Sequence, residues 1–123
     1  MPKVRVLIAD DHLLFAEALE SILSTDERFE VVALARDGRE AVDRALELRP
    51  DIVLMDISMP VLDGFDATRL LREEWPEARV LMLTGSNARA DVDRARQVGA
   101  VGYVTKDRIA SELIDAMLEV DAR

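Results

Sequence analysis

Cysteine is absent from the 123 residues. That removes a disulfide framework, a thiolate nucleophile and any zinc–thiolate centre. Histidine occurs once, as His12, so a multi-histidine metal site is excluded too. No apolar run approaches the length needed to cross a bilayer. Pro2 and Lys3 lead straight into an apolar segment, without the hydrophobic core of a signal peptide. Positive charge is also scarce: 16 Lys and Arg face 25 Asp and Glu, a formal net charge of -9. Nucleic-acid contacts use clustered Lys and Arg, and anionic membranes attract polybasic segments, so neither partner is expected. A soluble, cytoplasmic protein is the expectation. The length suits one domain, and an apolar content of 50% lets it build a core without staples.

Apolar runs alternate with helical patterns along the whole chain, with no repeat, low-complexity stretch or linker. Val4 to Ala9 reads as a buried strand ending at Asp10-Asp11, followed by a helix from His12 to Ser24 with Phe15, Leu19, Ile22 and Leu23 at helical spacing. Phe29 to Leu34 is a second strand. Asp37 caps the next helix, whose face is Ala41, Ala45 and Leu48 and whose end is Pro50. Ile52 to Met55 is a third strand, closed by Asp56, and Asp63-Gly64 opens a helix that stops at Trp75-Pro76. Val80 to Leu83 is the fourth strand, Ala88 to Val98 the fourth helix and Val101 to Val104 the fifth strand. Ile109, Leu113, Met117 and Val120 mark the last helix, with Ile114 and Leu118 beside that stripe as either interface or core. Alternating strands and helices imply crossovers, a parallel sheet and helices on both faces. The fold class is a doubly wound α/β domain.

In such a sheet, ligands bind outside the carboxyl ends of the strands. Those ends carry Asp10 and Asp11, Asp56, Thr84 and Lys106. Two carboxylates about 4 Å apart repel by roughly 4 kcal/mol at an effective dielectric near 20. Three together call for a proton or a bound cation. With only hard oxygen donors, Mg²⁺ is the natural cation. A metal beside a carboxylate, a lysine and a hydroxyl is the equipment of phosphoryl transfer. Lys3 and Lys106 are the only lysines in a chain that otherwise uses arginine, which suits a compact point charge at the strand end.

Each residue also has a plainer reading. Asp10 and Asp11 could simply favour a helix start, and Asp56 could form a turn. Thr84 is an ordinary strand residue, and Tyr103 an ordinary strand aromatic with a polar tip. His12 reads as a surface or capping residue rather than a phosphate carrier. It is the set, not any member, that carries the stronger reading.

That set is similar to the CheY-like receiver domain of bacterial two-component response regulators. Met59-Pro60, Asp63-Gly64, Gly99-Ala100 and Gly102-Tyr103 sit where the family has them, and the resemblance covers essentially residues 1–123. It implies a flavodoxin-like strand order 2-1-3-4-5 with five helices. Asp56 would accept a phosphoryl group from a phosphohistidine on a sensor histidine kinase. Asp11, Asp56 and the Ser58 carbonyl would ligate Mg²⁺, with Asp10 supporting the metal through water. Lys106 would hold a phosphate oxygen. Thr84 and Tyr103 would move inward and change the surface of helix four, strand five and helix five. Ser58 and Ser86 would tune self-dephosphorylation. Where many members have a cis proline after the lysine, Asp107 stands here. A non-proline cis bond costs about 2.5–4 kcal/mol, so the resemblance leaves that bond open.

Asp-Asp-His and Gly-Tyr-x-x-Lys-Asp resemble the subfamily whose receivers control LuxR-type helix-turn-helix output domains, by dimerisation or release of the partner domain. No output domain is expected within these residues. Two alternatives stand beside the phosphorylation switch. One is a receiver used as a constitutive interaction module. The other is a Mg²⁺-dependent aspartyl-phosphate phosphohydrolase, disfavoured by adjacent rather than spaced aspartates and by short loops. A flavin module fits less well still, because the first loop is anionic. Helix four has only small apolar residues, Ala88, Val92, Ala95 and Val98, and is expected to be loosely held.

Overall fold

Five parallel strands, β1 (Val4–Ala9), β2 (Phe29–Ala35), β3 (Ile52–Asp56), β4 (Val80–Thr84) and β5 (Gly102–Thr105), form one sheet in the order β2-β1-β3-β4-β5. The computed structural model describes residues 2–85 and 89–122. Between the strands run α1 (Leu13–Ser24), α2 (Gly38–Leu48), α3 (Gly64–Glu74) and α4 (Arg89–Gln97), and α5 (Ile109–Asp121) follows β5 after a 3-10 turn at Lys106–Arg108. The strand order and the five helices are those expected. Expectations for Ser86 and Ala88 fall outside the described residues.

The central strands explain themselves by composition. All five residues of β3 and all five of β4 are buried, because helices cover both faces and a parallel sheet leaves no polar side. Two cores result. On one face α1 and α5 bring Leu19, Leu23, Leu113 and Met117 against Ile8 and Leu54. On the other, α2, α3 and α4 bring Ala41, Ala45, Leu71 and Ala95 against Leu7, Met55 and Met82. Ile114 and Leu118 are half-buried and pack against the first core.

Local chemistry sets the helix ends. The Asp37 carboxylate accepts the Glu40 amide at 2.7 Å and that of Asp63 accepts the Asp66 amide at 2.8 Å, each satisfying an orphan donor. Arg49 ends α2 in the left-handed region, φ 48°, just before Pro50. Val61, in the loop after β3, has φ 70° and is exposed. A β-branched residue in that region is strained. No cis peptide bond occurs among the described residues, so Lys106–Asp107 is trans. Among the described residues no helix is long and apolar enough to cross a membrane.

Candidate functional site

The strand order places β1 and β3 side by side at the centre, and their carboxyl ends carry the acids. Asp10 follows β1 and Asp56 ends β3; both are buried, at 2% and 3% exposure, while Asp11 is exposed. Lys106 opens the 3-10 turn beyond β5 and reaches back across β4 to them. Its Nζ lies 3.1 Å from Asp10 Oδ2 and 3.3 Å from Asp56 Oδ1. Asp10 Oδ2 has the ammonium as its ion-pair partner but accepts no hydrogen bond. The same ammonium lies 4.4 Å from the centre of the Phe15 ring.

Asp10 Oδ2 and Asp56 Oδ2 are buried without a hydrogen-bond partner. Asp10 Oδ2 has the ammonium beside it, whereas Asp56 Oδ2 is left unpaired, and an unpaired buried carboxylate oxygen is costly enough to mark a place built for something else. One ligand atom each from Asp10, Asp11, His12 and Asp56 falls within 4.8 Å of the others. A donor set dominated by carboxylate oxygens, Asp56 Oδ2 among them with no partner, fits a hard divalent cation such as Mg²⁺. Burial pushes the Asp56 carboxyl above its ordinary range, the Asp10 charge pushes it further, and Lys106 pulls it back.

His12 has a larger place here than a surface reading gives it. It is exposed and stands at the N-cap of α1, as that reading has it, but its side chain caps nothing. Instead Nδ1 lies 3.2 Å from Asp10 Oδ1 and 3.3 Å from Asp11 Oδ1, and its amide donates to Asp10 Oδ1 at 2.8 Å. Asp10 is therefore held by a local turn as well as by Lys106. Adjacency to the acidic pair was the only signal for this. Phe15 read as a core position; its half-buried ring over the lysine is a second contribution that helical periodicity does not reveal.

The loop after Asp56 is pinned at two glycines. The Gly64 amide donates to the Ile57 carbonyl at 2.7 Å, and a Cβ on Gly64 would overlap the Asp56 carbonyl oxygen. The Gly38 amide reaches the Pro60 carbonyl at 3.4 Å, and a Cβ on Gly38 would overlap the Leu62 carbonyl oxygen. Ser58 lies exposed within this loop. Thr84 is buried at the end of β4, the strand next to Asp56. Tyr103 stands apart from the acids. It is 40% exposed on β5 and lines a surface cleft with Arg89, Val92, Asp93 and Arg96 of α4.

Comparison with known proteins agrees with this geometry. The family model of the response regulator receiver domain matches residues 6–118. The transcriptional regulatory protein LnrK of Bacillus subtilis is 42% identical over 117 residues, covering 95% of this chain and 53% of that protein. This chain spans about half the length of the curated relatives it matches. Among solved structures, the signal receiver domain of the response regulator NarL from Mycobacterium tuberculosis superposes with a TM-score of 0.94 at 34% identity, covering 99% of this chain and 98% of that one. A LuxR-family two-component response regulator from Aurantimonas sp. SI85-9A1 gives 0.94 at 35% identity, covering 98% and 86%. The acids at the ends of β1 and β3, the lysine beyond β5 and these similarities over almost the whole length lead to one conclusion: the chain belongs to the response regulator receiver domain family.

Proposed function

We propose that Asp56 is the phosphoacceptor of this receiver, and that Asp10, Asp11, Asp56 and the Ser58 carbonyl hold the Mg²⁺ that the reaction uses. Receiver domains are phosphoacceptor switches that work with histidine kinases, and they bind Mg²⁺ at an acidic pocket. The observation that carries the assignment is the Asp56 carboxylate itself. One oxygen faces the Lys106 ammonium at 3.3 Å, and the other is buried with no partner. An unsatisfied anionic oxygen next to a fixed positive charge is a nucleophile already placed for transfer.

In the transfer an Asp56 oxygen forms a bond to phosphorus as the bond from phosphorus to the donor's imidazole nitrogen breaks, and the imidazole leaves with that electron pair. Held by those residues, Mg²⁺ would supply neutralisation of charge on the phosphoryl oxygens. Lys106 already faces the position those oxygens would take, and gives the second positive contact. Thr84, buried one strand away, is the hydroxyl that would meet the phosphoryl group. Tyr103, exposed on the α4 side of β5, is the aromatic that would follow it inward. The chain chemistry needs no separate substrate pocket, and slow self-phosphorylation and self-dephosphorylation are the whole of its catalysis.

Residues 1–123 form the receiver. A sensor histidine kinase is the donor, and a helix-turn-helix output domain or a second receiver copy reads the changed α4–β5–α5 surface. Transcriptional regulators of about twice this length among the relatives support that reading. Intact-mass spectrometry after incubation with acetyl phosphate tests it. A gain of one phosphoryl group that needs Mg²⁺ and disappears in Asp56→Asn is expected. Labelling that survives the substitution would place the acceptor elsewhere, and no labelling by acetyl phosphate or kinase would leave a constitutive interaction module.

A further inference from the structure

We propose that Phe15 is a positioning residue for Lys106, its ring face holding the ammonium in place between Asp10 and Asp56. This deepens the phosphoacceptor reading and rests on it. A lysine side chain is a flexible four-carbon stem with a compact, strongly hydrated charge at its tip. Two acids alone would let that tip swing toward whichever is less neutralised at the moment. In the structure it lies 3.1 Å from Asp10, 3.3 Å from Asp56 and 4.4 Å from the centre of the Phe15 ring. The ring's negative face attracts the cation while offering no hydrogen bond. It therefore holds the charge without competing with the oxygens for its protons, and leaves those protons for an arriving phosphate.

Packing explains only part of Phe15, which is half-buried against the α1–α5 core. The residues of α1 that are buried in the core are Ala16, Leu19 and Leu23, whereas Phe15 is only half-buried, at the site end of the helix. The Lys106 side chain is itself only 22% exposed, so the ring also replaces water at the ammonium. The other phenylalanines carry arginines over their faces, Arg28 over Phe29 at 5.9 Å and Arg94 over Phe65 at 4.5 Å, and both of those arginines are exposed. Of the rings, Phe15 is the one that meets a cation inside the acid cluster.

The test replaces Phe15 with leucine, tyrosine and tryptophan, and with phenylalanines carrying one, two or three ring fluorines introduced at that codon. Fluorination drains the negative face while nearly keeping the shape. The acetyl phosphate labelling rate with Mg²⁺ is expected to fall about 2- to 30-fold in Phe15→Leu, the range of a cation–π contact between exposed and desolvated limits. Tyrosine and tryptophan should restore it, and the fluorinated series should decline in step with fluorine number. Independently of labelling, the Lys106 ε-methylene protons should resonate upfield in the native protein, shifted by the ring, and lose that shift in Phe15→Leu. Equal rates across the fluorinated series, or unshifted Lys106 protons, would overturn the proposal while the phosphoacceptor reading stood. If the native chain itself failed to label, that reading would fall, and the proton shift would still decide whether the ring holds the lysine.

Discussion

Helices α1 and α4 both follow a strand of the central sheet, yet they are attached to it very differently. α1 sinks Ala16, Leu19 and Leu23 into the core and sets Phe15 against the Lys106 ammonium. Of the residues Arg89–Gln97 in α4, Ala95 alone is buried, and Arg89, Arg94 and Arg96 stand exposed around it. An alanine buries little area, so the hydrophobic term that fastens α4 is small. The difference separates the two helices: α1 contributes to the stability of the fold and the shape of the site, while α4 is held by far less buried area.

Hydrogen exchange should show the widest gap. Amides of α1 are expected to open only with the whole domain, whereas α4 opens locally, giving protection factors about a hundredfold or more apart. Equal protection would break the comparison outright. Next in size is a pair of truncations followed by urea unfolding. Leu19→Ala should cost about 2–5 kcal/mol, the range for a buried leucine. Val92→Ala, at a half-buried position of α4, should cost under about 1 kcal/mol.

Mg²⁺ sharpens the contrast from the site end. At about a hundred times its dissociation constant it should add roughly 2.7 kcal/mol to stability, and a chelator should remove the gain. The added protection should concentrate at the ends of β1 and β3 and the start of α1, with α4 little changed. No thermal shift with millimolar Mg²⁺ would remove the metal assignment.

The smallest effect is pH-dependent. The Asp56 carboxyl titrates above its unfolded value of 3.8, mainly through burial, so the folded state holds its proton more tightly. This group therefore favours folding below that value and loses its favour as pH rises through the folded value. Without Mg²⁺, Asp56→Asn should melt higher than the native chain at neutral pH, and the difference should close as pH drops below about 4. Asp26 runs the opposite way. Its hydrogen bond from Arg28 lowers it to about 2, so its contribution is present above the unfolded value and lost as pH falls toward 2.

Much of this architecture was legible in the residues because the signals were local. Apolar runs marked the strands, Asp37 and Asp63 marked two helix starts, and Pro50 marked an end one residue beyond Arg49. Boundaries moved by a residue where backbone pairing outran the apolar run, as at Asp56 and Thr84. Val42 is buried beside Ala41 and Ala45 because the covered arc of α2 is broader than a single stripe. The 3-10 turn at Lys106–Arg108 has no sequence signal, since one tight turn leaves no periodicity. The acids and the lysine could be placed from strand ends alone. His12 and Phe15 could not, because their contribution depends on which way a side chain turns and on what lies across the sheet from it.

Gly38 shows a consequence of another kind. It stands at the start of α2 and contributes no side chain to any core, yet its bare backbone lets the loop from Pro60 to Leu62 lie directly upon it. In a library of every single substitution scored for signalling, position 38 would be as intolerant as the centre of β3. Its tolerance would return only in second-site revertants that rebuild the Leu62 end of the loop, so two sequence positions far apart would be inherited as one.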